Sequence, residues 1–265
     1  MRDFSFTKYT ELINALKSRH YQICTFSDYL NSPPERAVIL RHDVDILAYS
    51  ALQLALLENE LGVKGTYFFR TTKYSYKPEL IKRMASLGHE IGYHYEDLSR
   101  NNGDYLLAEK EFAKNLQNFR ALYPVKTVCM HGSSGSPYDN RDLWKTIKLA
   151  DYGLVGEPYL SIDFNAVLYL TDTTQRWNGG GIAVRDNVGY GLKASFSNTD
   201  QILESIDELP GKLMITIHPE LWAKHLPHWL LARLFVFTHG NYKKYFRNRR
   251  MKQRQIATKK KDIRN

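Results

Sequence analysis

Ala37-Val38-Ile39-Leu40-Arg41-His42-Asp43-Val44-Asp45 decides how this chain is read. Four apolar residues, two of them β-branched, make a run of strand length that ends in His42, Asp43 and Asp45. Residues two apart in an extended chain face the same way, so Asp43 and Asp45 point together. Two carboxylates so placed repel each other unless a divalent cation or a shared proton lies between them. The alternative is that Asp45 merely caps a helix beginning at Leu47.

Working outward, runs of strand length recur at 65–69, 90–93, 127–130, 152–155, 167–170 and 213–217, which with 37–40 makes seven candidate strands. Between them, 6–19, 47–61, 77–87, 105–122 and 140–150 carry apolar residues at three- and four-residue spacing, as helices packed on a sheet do. Pro78 stands where a helix can begin, and Gly62 and Gly88 where two can stop. Strands alternating with helices predict an α/β fold with a parallel sheet, open or closed into a barrel. In such folds binding residues gather at the C-terminal ends of the strands. Here His94 closes the third run, His131 the fourth, Asp172 the sixth and His218 the last. Taken alone, His94 reads more readily as a structural histidine, and His218 reads equally well as one.

At 265 residues with 43% apolar content the chain can fill the core of one large domain. Cys24 and Cys129 show no CxxC spacing, which argues against a thiolate metal site or a disulfide framework and for a reducing compartment. The N-terminal residues lack the apolar core of a leader, and no run approaches a membrane span. The expectation is a cytoplasmic protein, peripheral at the inner face of the membrane if its tail binds there. The formal charge of +9 is not spread along the chain: residues 241–265 hold 11 Lys or Arg against one acidic residue, leaving residues 1–240 at −1. The expected partition is one catalytic domain, 1–240, and a basic tail, 241–265. A nucleic-acid-binding protein would rest on the tail alone and ranks last.

Gly88-His89-Glu90-Ile91-Gly92-Tyr93-His94 places an imidazole where it can ligate a metal, while His89, at the strand's beginning, faces the other end. Thr216-Ile217-His218 closes the last strand with a residue suited to general acid or base work. These three motifs, in this order, resemble the polysaccharide deacetylase superfamily (NodB homology, family 4 carbohydrate esterases). Gly65-Thr66-Tyr67-Phe68-Phe69 resembles the strand between that family's first two motifs, so the resemblance covers residues 38–219. It implies an incomplete (β/α) barrel, metal-dependent hydrolysis of an N-acetyl group on a sugar or polysaccharide precursor, Asp43 as base, Asp45 and His94 as metal ligands, and His218 as acid. The mixed nitrogen and oxygen donors suit zinc.

Two positions depart from the family. Leu98 stands where a second ligand histidine is usual, and the candidates to replace it are His131, which ends its own strand, and Glu96 or Asp97 in the loop after His94. His131 is favoured. The family's arginine loop reads Gly132-Ser133-Ser134-Gly135-Ser136-Pro137-Tyr138-Asp139 here. Tyr138 in that loop, with Asp172, Arg176 and Trp177, is the expected substrate contact, and Asp172 and Trp177 loosely resemble the motif that orients the base. Rival expectations are a catalytically inactive carbohydrate-binding pseudoenzyme and a hydrolase of another non-peptide carbon–nitrogen bond. The mostly apolar stretch 229–237 followed by the basic run can lie on an anionic membrane surface or be a last packing helix with a solvated end.

Overall fold

The computed structural model describes residues 2–177 and 188–238; the basic tail and the boundary expected at 240 lie outside them. In chain order the elements are α1 (Phe6–Ser18), β1 (Gln22–Cys24), α2 (Phe26–Asn31), β2 (Ala37–Val44), α3 (Ala48–Glu60), β3 (Thr66–Phe69), α4 (Pro78–Ser86), β4 (Glu90–Tyr95), α5 (Asp97–Arg100), α6 (Tyr105–Arg120) and β5 (Val128–Met130). There follow α7 (Pro158–Ser161), β6 (Leu168–Thr171), α8 (Thr199–Glu204), β7 (Lys212–Ile217) and a helix over 226–238, α9.

Every strand pairing is parallel, and the order is β5-β4-β3-β2-β7-β6. One edge of β2 takes β7 along Ala37 to His42; the other is shared, β1 at Ala37 to Ile39 and β3 at Arg41 to Val44. Strands β5 and β6 end the sheet without pairing to each other among the described residues, so the curled sheet makes an incomplete barrel. All eight residues of β2 are buried, as a strand covered on both faces requires.

Two expectations are corrected. Residues 152–155 are not a strand: the chain turns through Gly153 at φ 60°, a left-handed conformation that interrupts the run, and pairing shrinks to one bridge between Thr127 and Gly156. Residues 140–150 are not one helix but two 3₁₀ turns, Asn140–Lys145 and Leu149–Tyr152, separated at the β-branched pair Thr146-Ile147. The seventh strand is β1, whose three residues are too few to show a period.

The alternation of β2 sends Arg41 and Asp43 to one face and His42 to the other. His42 stacks on Tyr67 at 4.0 Å between ring centroids, and its Nε2 lies 2.8 Å from Glu58 Oε1. Tyr67 Oη donates to Glu58 Oε2 at 2.7 Å, and Tyr9 Oη donates to the other oxygen. Glu58 is wholly buried on α3, so these donors are what keeps a charge tolerable in the core. Glu58→Ala should cost about 3–5 kcal/mol in urea unfolding, because it strands a buried imidazole and two hydroxyls. A cost under about 1 kcal/mol would show that they find other partners.

Candidate metal and active centre

The C-terminal ends of β2, β4, β5, β6 and β7 bring together Asp43, Asp45, His94, His131, Asp172 and His218. Asp45 follows β2 but caps nothing: α3 begins after Leu47 with no side-chain cap. Among the described residues its Oδ1 is buried without a well-formed hydrogen bond, which a carboxylate tolerates only if something else satisfies it. His94 Nε2 lies 3.3 Å from that oxygen and His131 Nε2 lies 3.6 Å from it. Donors about 2.0–2.1 Å from a tetrahedral ion are themselves roughly 3.4 Å apart. Each imidazole nitrogen therefore stands from Asp45 Oδ1 at about the separation of two ligands of one tetrahedral ion, and the donors have the chemistry of a divalent-metal site.

Both imidazoles are aimed by bonds on their far side. His94 Nδ1 sits 3.0 Å from the Cys129 carbonyl, and the β4–β5 register that places them opposite each other also fixes the ring. On the other side of β4, Gly92 lets the strand lie against β3, since a Cβ there would stand 2.3 Å from the ring of its partner Phe68. His131 Nδ1 sits 2.9 Å from Glu96 Oε2, and Arg70 grips the same carboxylate at 2.8 and 2.9 Å. Outer acceptors that take Nδ1–H and leave Nε2 for a metal are the usual support of ligand histidines. Burial pushes the Glu96 carboxyl up, but His131 and Arg70 outweigh it and hold it down at about 2. Glu96 is thus the partner of His131 and not a third ligand.

Asp97 turns away from the site, accepting bonds from Tyr93 Oη at 2.8 Å and Asn115 Nδ2 at 2.9 Å. Burial pushes its carboxyl up to about 7, against the pull of those donors. The folded value lies above the unfolded one, so the stability it allows is present at low pH and lost as the pH rises from about 4 to about 7. Asp97→Asn should fall less in stability over that window than the parent chain when both are unfolded in urea. An equally steep fall would assign the dependence elsewhere.

Asp43 is held by Arg41 two residues away on the same face, Nε to Oδ1 at 2.8 Å and Nη2 to Oδ2 at 2.6 Å, both side chains buried. Burial raises the Asp43 carboxyl, yet Arg41 and His94 prevail and keep it below its ordinary value, so it stays ionised. Asp43, His94 and Cys129 also offer one ligand atom each within 4.8 Å of one another. That set is the poorer cation site, because the guanidinium of Arg41 already covers both Asp43 oxygens and would repel a metal. Burial lowers the His94 imidazole but Asp43 and Asp45 raise it above its usual value, the mark of a place that favours positive charge.

His218 Nδ1 lies 2.6 Å from Asp172 Oδ1, and Asp172 also accepts from the His218 backbone N–H and from Trp222 Nε1 at 2.7 Å. Burial pulls this imidazole down, but the Asp172 carboxylate pushes it up to about 10. Asp172 accordingly positions His218, whereas sequence placed it against substrate. Trp177 is corrected outright: it is 2% exposed, its Nε1 donates to Thr199 Oγ1, and it packs with Phe4 and Trp222, so no face is left for a ligand. Arg176 is exposed beside it. Tyr138 remains at the surface, its ring packed over Gly103, and the Ser99 hydroxyl donates to its carbonyl.

Sequence reasoning missed Arg41, Arg70 and Trp222. The i, i+2 spacing of Arg41 and Asp43 was the available signal; nothing in the sequence ties Arg70 to Glu96.

No family model matches this chain, and neither does any curated protein. Among solved structures, a family 4 carbohydrate esterase from Streptomyces lividans, solved with acetate, aligns at 16% identity over 78% of this chain and 90% of its own, TM-score 0.43. A polysaccharide deacetylase from Bacillus cereus aligns at 19% identity over 79% and 88%, TM-score 0.41, and a family 4 pseudoenzyme from Bacillus anthracis at 15% over 80% and 62%, TM-score 0.42. The chain is similar to family 4 carbohydrate esterases. Its sheet is the incomplete parallel barrel that the motif resemblance implies.

Proposed function

We propose that this chain hydrolyses the N-acetyl group of an amino sugar in a glycan or glycan precursor, with a divalent metal, zinc by its donor set, held by Asp45, His94 and His131. The observation that carries this reading is the buried Asp45 Oδ1 with two aimed imidazole nitrogens beside it, flanked by Asp43 and His218. A bound metal supplies Lewis acidity, polarising an amide carbonyl and acidifying a water.

Asp43, ionised and fixed by Arg41, accepts the proton of the attacking water on an oxygen lone pair that Arg41 leaves free. His218, kept protonated by Asp172, gives its proton to the departing nitrogen. An acid near 10 matches an alkylamine leaving group, which must collect a proton as the carbon–nitrogen bond breaks. Water is consumed, and acetate and a free amine leave in equal amounts. The test is to incubate the zinc-reconstituted chain with N-acetylglucosamine oligomers and measure both products. Equal release, absent in His218→Ala, supports the proposal; amine without acetate would mean that another acyl group or another carbon–nitrogen bond is the substrate.

One observation favours a second reading, a sugar-binding protein without turnover: the Arg41 fork occupies both oxygens of the base. Stoichiometric metal and sugar binding with no product over many hours would select it.

A further inference from the structure

Helix α9 has two unlike faces. Trp229 Nε1 donates to the Asp3 carbonyl, Arg233 reaches Gln175 Oε1 at 3.3 Å, Ala232 is buried, and Phe235 and Val236 pack on the core around β2, β7 and α1. These contacts fasten one side. On the other side Leu226, Leu230, Leu231, Leu234 and Phe237 are 47–69% exposed. Their spacing of four, one, three and three residues gathers them on a single face, which Pro227 and Thr238, both exposed, complete. No charged residue stands on it. A helix that ends in water puts polar groups there; five large exposed apolar side chains in a row mark a contact surface.

The charge around the face says what it meets. Residues 221–238 contain Lys224 and Arg233 and no acidic residue, and the sequence continues into 11 Lys or Arg against one Asp over 241–265. An apolar stripe bordered by cations fits an anionic bilayer, with the leucines among the acyl chains and the cations at the phosphates. No described helix is long and apolar enough to cross a membrane, so the contact is interfacial. A groove of about 400 Å³ lined by Leu47, Tyr49, Leu231 and Phe235 runs to Ile46 and Glu220, which neighbour Asp45 and His218 in the chain.

We infer that the outer face of α9 docks this protein on an anionic membrane surface, with the mouth of the active centre beside the bilayer. This holds whatever reaction the centre performs.

The test is co-sedimentation of the full chain with phosphatidylcholine vesicles, with and without phosphatidylglycerol, beside the double variant Leu230→Glu/Leu234→Glu. Both positions are exposed, so the variant should keep the parent's circular dichroism and melting curve. The expected result is binding to the anionic vesicles that falls at least about tenfold in the double variant. Absence of binding by the parent chain would overturn the inference. So would equal binding by the variant, which would assign adsorption to the tail's charge alone. Concentration-dependent dimerisation without vesicles, abolished by the same two changes, would overturn it in favour of a second copy of this chain.

Discussion

Asp43→Asn is expected to keep its metal and to lower amide hydrolysis by a factor of about 10²–10⁴, the range for removing a general acid–base group. The amide is isosteric and its Oδ1 can still accept from one arm of Arg41, but the buried guanidinium loses its counter-charge, so a stability loss of about 3–5 kcal/mol should accompany the change while the proposed ligands Asp45, His94 and His131 keep their metal. What is lost is the charged acceptor that Arg41 holds at the end of β2. Arg41→Met tests the same pair from the other side. It leaves a buried carboxylate without its cation and should cost about 3–5 kcal/mol of stability. Steady-state kinetics with metal analysis separates the outcomes: hydrolysis undiminished in Asp43→Asn would remove this residue from the chemistry.

The second large effect is expected at Asp172. With the carboxylate in place His218 is protonated up to about 10; without it burial, which lowers the imidazole, is opposed only by the smaller pull of Asp45 and Asp43, and the imidazole falls. The raised value means that the acid form is present below about 10 and lost as the pH rises through it. In Asp172→Asn the alkaline limb of the pH–rate profile should therefore move to lower pH, so that the variant loses activity at a pH where the parent still works and recovers as the pH falls. A merely structural Asp172 would lower activity at every pH by one factor. An alkaline limb that stays where it was would show that His218 is not the acid.

Much of the fold could be read from the sequence because the strands that carry it are long apolar runs with a chemical residue at one end. Ala37 to Val44 and Lys212 to Ile217 are of this kind, and they pair with each other at the centre of the sheet. What failed was short or locally determined. Gln22–Cys24 is held by pairing with β2 and not by its own pattern, and the turn through Gly153 overrides the apolar residues around it. In the site, Asp45, His94 and His131 lie near one another, as the convergence of strand ends leads one to expect. The difference between Glu96 and Asp97 could not be read, since neighbouring residues at the start of α5 point to opposite sides, one to His131 and the other to Tyr93 and Asn115. Trp177 misled because a loose motif match carries no information about which way a side chain faces, and this one faces the core.

The central claim is that Asp45 is the pivot of a metal site shared with His94 and His131. The direct measurement is metal content by mass spectrometry of the untagged chain after zinc reconstitution and dialysis, beside Asp45→Ala, His94→Ala, His131→Ala and Cys129→Ser. Close to one metal per chain is expected in the parent and in Cys129→Ser, and little in the other three. No metal in the parent, or metal kept in Asp45→Ala and lost in Cys129→Ser, would contradict it.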